Sequence, residues 1–139
     1  MPERSTTPDP IELSRRFLEA ASCLDVDAMV SFYAPDAVWE GRASGMTFEG
    51  RTAIRGFWED VTAAYEEFEW RSEETLDLGN GVTFGLFRQR GRPIGSSGDV
   101  GLRYAAVSVW VEGLIVRTTL YGDIDEARAA AERLAEERG

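Results

Sequence analysis

The chain has 139 residues, which suits one domain of ordinary size that buries about two thirds of its unfolded surface. Lys and Arg total 15 against 25 Asp and Glu, and the net charge of −10 disfavours nucleic acid and anionic membrane surfaces as partners. The sequence has no histidine, no lysine and one cysteine, which excludes Ser-His-Asp and Cys-His catalysis and ordinary zinc or iron-sulfur sites. Any chemistry must therefore use carboxylates, tyrosine, arginine or neutral polar groups.

The N-terminus and the hydropathy pattern carry no secretion or membrane signal. Residues 1–8 are polar and are predicted to form a disordered tail, without the apolar segment of a secretory signal. No apolar run approaches the roughly 20 residues that a membrane-spanning helix needs. These features favour a cytoplasmic location. The sequence contains no dinucleotide-binding or P-loop motif, so we expect neither a cofactor nor a metal.

The first part of the chain predicts two helices and a short strand. The Asp-Pro-Ile-Glu sequence of residues 9–12 combines an N-cap, a proline at the first helical position and a capping box, so a helix is expected over residues 10–22. Asp25 caps a second helix, which is expected over residues 26–33. A short strand is predicted at residues 37–40.

The longest amphipathic pattern follows a glycine-rich segment. Residues 41–50 predict a loop or an irregular hairpin. From Thr52 onward, large apolar residues recur at the spacing of a helix that covers a sheet. These residues are Ile54, Phe57, Trp58, Val61, Tyr65 and Phe68.

The second half predicts antiparallel strands and a terminal helix. Strands are expected over residues 69–77 and 82–90 and, as a hairpin hinged at Glu112-Gly113, over residues 102–121. Residues 91–99 are expected to form a mobile connection. Asp123 and Glu126 form a second capping box, and they start a helix over residues 124–136 whose narrow apolar stripe predicts marginal packing. The predicted fold class is α+β, with helices on one face of a curved sheet and one domain over residues 9–139.

Three segments carry a resemblance to a known family. LDVDAMVSFYAPDAVWEG, FEGRTAIRGFW and VWVEGLIVRTTLYGDIDEA are similar, in order and spacing, to the nuclear-transport-factor-two-like superfamily in its SnoaL-like branch. The resemblance covers residues 9–134. It implies a cone-shaped fold, in which a strongly curved, mostly antiparallel sheet wraps around a pocket that the N-terminal helices close. Ketosteroid isomerases, limonene-type epoxide hydrolases, polyketide cyclases, dehydratases and proteins without known activity share this fold, so the fold does not determine the function.

The catalytic groups of these relatives are not reproduced. The resemblance places Phe17 where ketosteroid isomerases have a tyrosine, Gly41 where they have an aspartate base, and Val107 where they have a protonated aspartate. Leu120 replaces an aspartate of the epoxide hydrolases. Asp99 is the acidic residue to consider against polyketide cyclases, although its surroundings predict a flexible loop.

Two other carboxylates are candidates for a base. Glu40 lies beside the missing aspartate, but on a strand Trp39 and Gly41 share the pocket face and Glu40 points away as a surface carboxylate. Asp123 ends the last strand, where helix capping is the alternative to catalysis.

Arg117 is the cation expected at the pocket wall. Strict alternation along the last strand places Ile115, Arg117, Thr119 and Tyr121 on one face, which the resemblance makes the pocket face. There Arg117 would recognise a carboxylate or an enolate. The alternative is an ion pair with Asp36 or Glu40, since a buried arginine is almost always paired.

The remaining aromatic residues predict either a packed core or a pocket for a hydrophobic molecule. The predicted ligand pocket comprises Phe17, Tyr33, Trp39, Phe57, Trp58, Phe87, Val107, Arg117, Thr119 and Tyr121, with Gln89 helping to orient the ligand. Tyr33, Glu40 and Arg117 are the candidates for a catalytic role.

Three classes of function remain open. The chain is expected to be a small-molecule pocket protein, as an isomerase, cyclase or dehydratase acting on a hydrophobic or aromatic metabolite, or as a non-catalytic binding protein. The third class is an interaction module. Consecutive apolar residues around Trp110 predict that both faces of its strand are covered, which we expect a homodimer through the sheet to do.

Overall fold

The computed structural model describes residues 9–42 and 44–139, and the predicted tail at residues 1–8 lies outside them. Four helices and six strands follow one another along the chain. They are α1 (Pro10–Ser22), α2 (Val26–Val30), β1 (Tyr33–Gly41), β2 (Met46–Glu49), α3 (Arg51–Ala64), β3 (Tyr65–Gly79), β4 (Val82–Pro93), β5 (Val100–Val111), β6 (Leu114–Tyr121) and α4 (Ile124–Arg138). No helix in these residues is both long enough and apolar enough to cross a membrane.

The six strands form one curved, open sheet in the order β2-β1-β6-β5-β4-β3. Only β1 and β6 run parallel, and the other neighbouring strands are antiparallel. Two-residue turns join β3 to β4 and β5 to β6, with positive φ at Asn80, Gly81, Glu112 and Gly113. Such turns match the twist of a hairpin, so the predicted Glu112-Gly113 hinge and the α+β cone are confirmed.

Local capping signals set the starts of α1, α2 and α4. The side chains of Asp9, Asp25 and Asp123 accept hydrogen bonds from Ile11, Ala28 and Glu126 backbone N–H groups, respectively. Each bond satisfies a donor that the first helical turn leaves free. Asp123 therefore has the capping role that was the alternative to catalysis.

Two predicted helices end earlier than their apolar periodicity indicates. Tyr33 belongs to β1 rather than α2, and Pro35 lies where the pairing of β1 with β6 is irregular. Tyr65 and Phe68 belong to β3, which pairs with β4 from Tyr65 to Gly79. Pairing with β4 satisfies the backbone hydrogen-bonding groups of these residues, so another helical turn is not needed. Both side chains still pack with other aromatic residues.

The convex face of the sheet is covered by α4. Ala127 and Ala131 are fully buried in a cluster with Val107 and Val109 of β5. Alanine has no bulk beyond Cβ, so the helix backbone approaches the sheet closely. This contact corrects the expected marginal packing, and it explains the consecutive apolar residues of β5 without a second copy of the chain.

We expect the α4 interface to be sensitive to added volume. Ala131→Leu places a larger side chain in a fully packed site and should lower the free energy of unfolding by about 1–3 kcal/mol. Ala129→Leu changes an exposed position of the same helix and should stay within about 0.5 kcal/mol of wild type. Urea denaturation measures both, and equal midpoints for the two variants would contradict the described packing.

Candidate functional site

The concave face of the sheet, α1 and α3 enclose two adjoining cavities. The inner cavity has a volume of about 60 Å³, and every side chain that lines it is buried or half-buried. The outer cavity has a volume of about 280 Å³ and reaches solvent at a rim that includes Ser44, Leu102 and Gly122. Trp39, Trp58, Trp70, Tyr104 and Leu120 line both cavities. The two spaces therefore share one aromatic wall.

Alternation along β5 selects which residues face the cavities. Tyr104, Ala106, Ser108 and Trp110 line the inner cavity, whereas Ala105, Val107 and Val109 pack under α4. The pocket position predicted for Val107 is therefore wrong. Because side chains alternate with period two, a shift of one residue in the comparison with the isomerases reverses the face. Trp110, the expected dimer contact, instead faces the cavity.

A β-bulge in β6 reverses the predicted face of Arg117. Trp110 pairs with Ile115 and Val109 pairs with Arg117, so Val116 is an extra residue in β6. Beyond the bulge, Thr118 and Leu120 face the cavity, and Arg117 and Thr119 face the α4 side. The expected cationic wall is therefore absent from this side of the strand.

Arg117 forms an ion pair on the convex face. Its Nη2 lies 3.3 Å from Oε1 of Glu40, which the alternation of β1 had placed away from the pocket. The paired alternative for Arg117 is thus the one observed, and neither side chain reaches the cavities. Asp99 pairs with Arg90 at the β4–β5 turn, with 2.7 Å between Oδ2 and Nη2.

The structure brings most of the predicted aromatic residues together. Phe17, Tyr33, Trp39, Trp58 and Phe87 line the inner cavity, and Phe57 and Tyr121 line the outer one. Their rings pack mainly edge-to-face or tilted, as ring quadrupoles favour. All four tryptophans of the chain line the inner cavity.

The prediction missed Trp70, Tyr104, Ser108, Trp110 and Thr118 as cavity residues. One signal was present in β5: one face mixes large aromatic and small polar residues, and the other is purely aliphatic. A mixed lining is typical of a ligand cavity, whereas an aliphatic face is typical of a helix-covered core. In β3, Glu73 is an extra residue between Ser72 and Glu74, so the side-chain alternation of this strand also changes face at that point.

Neutral hydrogen bonds hold part of the lining in place. The Nε1–H groups of Trp70 and Trp110 donate to Gln89 Oε1 at 2.7 Å and to Thr83 Oγ1 at 3.0 Å. The Ser108 and Thr118 hydroxyls form a buried pair at 2.9 Å. These bonds orient two indole rings without placing a charge in the cavity.

Burial shapes the chemistry of the two cavity tyrosines. Burial is the larger effect and raises the pKa of Tyr33 well above its usual range, while the nearby Trp58 indole acts in the opposite direction. Burial also raises the pKa of Tyr104, with a further contribution from Tyr33. Both phenols stay protonated near neutral pH and can donate hydrogen bonds.

The described lining of the inner cavity contains no charged side chain. Acid-base chemistry would need a group that gains or loses a proton near neutral pH, and protonated phenols with raised pKa values do not do so readily. Within residues 9–42 and 44–139, no three metal-ligating side chains converge. The arrangement is suited to holding an uncharged molecule by packing and hydrogen bonding.

We expect strong coupling between Ser108 and Thr118. Ser108→Ala or Thr118→Val leaves the other buried hydroxyl without its partner, so each should lower the free energy of unfolding by about 1–3 kcal/mol. The double variant should lose less than the sum, because it leaves neither hydroxyl unpaired. Urea denaturation of the four proteins tests this, and strictly additive losses would contradict a shared hydrogen bond.

We expect the stability of the protein to fall in alkaline solution. An unfolded tyrosine ionises near pH 10, and the pKa of folded Tyr33 is higher, so above that pH the unfolded state releases a proton that the folded state keeps. The stabilisation is complete below about pH 9 and is lost as pH rises. Tyr33→Phe should flatten the decline above about pH 10. Urea unfolding at each pH gives the slope, and identical slopes would contradict a protonated, buried Tyr33.

Comparison with solved structures identifies similar folds. A protein of ketosteroid isomerase-like fold from Catenulispora acidiphila DSM 44928, crystallised with trimethylamine, superposes with a TM-score of 0.74 at 18% identity, covering 91% of this chain and 94% of that one. A protein from Shewanella putrefaciens CN-32, provisionally assigned as a SnoaL-like polyketide cyclase, gives a TM-score of 0.72 at 12% identity, covering 92% and 98%. A provisionally assigned polyketide cyclase from Sinorhizobium meliloti gives 0.64 at 27% identity, covering 79% and 94%.

A search of curated proteins found none that matches the chain. The SnoaL-like domain family matches residues 14–118, a span that runs from α1 into β6 and includes most of the cavity lining. The resemblance seen in the sequence and the cone-shaped architecture agree with this match. The chain therefore belongs to the SnoaL-like domain family, within the nuclear-transport-factor-two-like superfamily.

Proposed function

We propose that this protein binds a neutral, flat hydrophobic small molecule in the inner and outer cavities. The observation that carries the proposal is the lining: four tryptophans with further aromatic side chains, and no charged group among the described residues of the inner cavity. Aromatic walls with a few placed polar groups are typical of sites for hydrophobic ligands. A charged ligand would lose its hydration in the inner cavity without gaining a partner of opposite charge among the described lining residues, and Arg103 at the outer cavity is already paired with Glu73.

The shape of the space supports a small, partly enclosed ligand. The inner cavity, of about 60 Å³, adjoins an outer cavity of about 280 Å³ across the shared aromatic wall. A ring system of two or three fused rings suits this combined space, with one end deep among the tryptophans. Ring stacking against Trp58 and Trp70 would add to the burial of apolar area.

Binding is favoured over an isomerase, cyclase or dehydratase activity. These reactions move protons, and Glu40 and Arg117, two of the three catalytic candidates, are paired with each other outside the cavities. Tyr33 remains, and its raised pKa suits a hydrogen-bond donor rather than a base. Polyketide cyclase is the assignment given to the structural neighbours, and it describes those proteins rather than this chain.

The homodimer stays a prediction. Because α4 covers the convex face of β5, a partner would contact other parts of the sheet, and gel filtration at micromolar concentration measures the state in solution. Gel filtration also tests the alternative function of an interaction module, because such a module needs a surface that binds a partner and does not need an occupied cavity. The aromatic cavity is what favours ligand binding over that alternative.

We expect filling the cavity to weaken ligand binding. Ala106→Leu projects three additional carbon atoms into the inner cavity, so the affinity for a bound aromatic such as tetralin or fluorene should fall by at least about tenfold, because a tenfold change is only about 1.4 kcal/mol. Tryptophan fluorescence and thermal shift both report binding, since all four indoles line the site.

Ala130→Leu is the matched control. It makes the same change beside the groove under α4, on the opposite face of the sheet, and should leave the affinity unchanged. Loss of binding in Ala130→Leu with full binding in Ala106→Leu would place the ligand in that groove instead. If no neutral aromatic binds to or stabilises the wild-type protein, the proposed function is wrong.

A further inference from the structure

The turn between β3 and β4 contains an asparagine followed by a glycine. Asn80 is the only asparagine in the sequence, and Gly81 follows it directly. Both residues have positive φ, 57° and 81°, as favoured two-residue hairpin turns require. A Cβ atom at position 81 would lie 2.5 Å from the carbonyl oxygen of Trp110, so only glycine fits there. The fold therefore requires the glycine of this Asn-Gly pair.

The same turn holds the C-terminal end of α4. Asn80 Nδ2 donates a hydrogen bond to the Ala135 carbonyl oxygen at 2.6 Å. In the opposite direction, Arg138 Nε donates to the Asn80 carbonyl oxygen at 2.9 Å. The last four carbonyl groups of a helix lack partners within the helix, and that of Ala135 is one of them. The Asn80 side chain thus caps α4 from a distant part of the chain.

An Asn-Gly pair is also chemically labile. The Gly81 backbone nitrogen loses its proton to a solvent base and attacks Asn80 Cγ, so that a C–N bond forms. The Cγ–Nδ2 bond breaks, and Nδ2 takes up a proton and leaves as ammonia. Water then opens the resulting succinimide ring at either carbonyl and yields aspartate or isoaspartate. Glycine favours the attack because no side chain hinders the approach of its nitrogen.

The hydrogen bonds of the native turn oppose this reaction. To close the ring, the side-chain amide must turn over its own C-terminal peptide bond until the Gly81 nitrogen meets Cγ. The bond to Ala135 holds the amide against α4 instead. Arg138 holds the Asn80 carbonyl group, and the Trp110 N–H donates to the Gly81 carbonyl oxygen at 2.7 Å. Helix ends open more readily than whole domains unfold, so separation of the last turn of α4 is the local event that frees the amide.

We propose that Asn80 is a deamidation site, that the docked end of α4 protects it, and that modification irreversibly removes the cap of this helix. An aspartate product has no amide proton to donate, and it brings a negative charge to the negative end of the helix dipole. An isoaspartate product lengthens the backbone of the turn by one carbon atom. Either product weakens the contact between α4 and the β3–β4 hairpin. The site is separate from both cavities, since Asn80 lines neither of them.

Mass spectrometry of the intact protein follows the reaction directly, because the chain has a single asparagine. The protein is incubated in mildly alkaline buffer with and without guanidinium chloride, and an isoaspartate methyltransferase assay detects the second product. We expect the native protein to deamidate at least about tenfold more slowly than the unfolded chain, which corresponds to about 1.4 kcal/mol of local opening. Asn80→Gly tolerates the positive φ and should show no mass change, which also controls for Gln89.

Two glycine substitutions test whether the end of α4 protects the site. Ala135→Gly loosens the last turn and should speed deamidation of the native protein by about fivefold, the equivalent of the cost of about 1 kcal/mol that glycine has in a helix. Ala129→Gly makes the same change at an exposed position in the first half of α4 and should leave the rate within about twofold of wild type. Urea denaturation gives the global stability of each variant. Rates that follow global stability rather than position would overturn the protective role of the last turn.

Hydrogen exchange measures what the modification does to α4. Asn80→Asp copies one product, and the amide protons of the last turn of α4 should exchange at least about threefold faster than in wild type, while those of β5 are unchanged. Unchanged exchange in the last turn would overturn the loss of the cap. Deamidation that is equally fast in native and unfolded protein, or absent from the unfolded chain, would overturn the protected site itself.

Discussion

The alternation of side chains along β5 is the constraint on which the rest of the structure depends. One face, with Val107 and Val109, is aliphatic and is covered by the alanine stripe of α4. The other face, with Tyr104 and Trp110, is aromatic and polar and lines the cavity under α1 and α3. Neighbouring side chains of a strand point to opposite faces of the sheet. When every second side chain of β5 packs under α4, the side chains between them must therefore point toward the cavity. The C-terminal helix and the cavity are consequences of the same pattern.

No charged side chain lines the inner cavity among the described residues, and Arg103 at the outer cavity is paired with Glu73. The chain has a net charge of −10, and ion pairs such as Arg117 with Glu40 on the convex face and Arg90 with Asp99 at a turn lie away from the inner cavity. Among the described residues that line the inner cavity, the polar side-chain groups are phenols, hydroxyls and indoles. In such surroundings a hydrogen bond is stronger than in water, and an unpaired donor is more costly. This environment supports the proposal of a neutral ligand.

Membership of the SnoaL-like family establishes the scaffold and leaves the chemistry to individual side chains. At the positions that the resemblance relates to catalytic acids and a tyrosine, this chain has Phe17, Gly41, Val107 and Leu120. Phe17 and Leu120 line the inner cavity, Gly41 lines the outer one, and Val107 packs under α4. In this chain those positions are apolar, while Tyr33 and Tyr104 contribute phenol groups from other positions of β1 and β5. The family scaffold is thus retained around a different set of polar groups.

The sequence by itself determined the local features: the capping residues Asp9, Asp25 and Asp123, the Glu112-Gly113 turn and the α+β order of elements. These features depend on residues within about four positions of one another and on hydrophobic periodicity. Both signals can be read directly from one amino-acid sequence. Only the tertiary structure decided which strand residues face the cavity. The extra residues Glu73 and Val116 each change the side-chain alternation, and a bulge has no strong local signal because pairing with the adjacent strand creates it. The face of Arg117, and with it the neutral character of the cavity, was therefore set by strand register across the sheet.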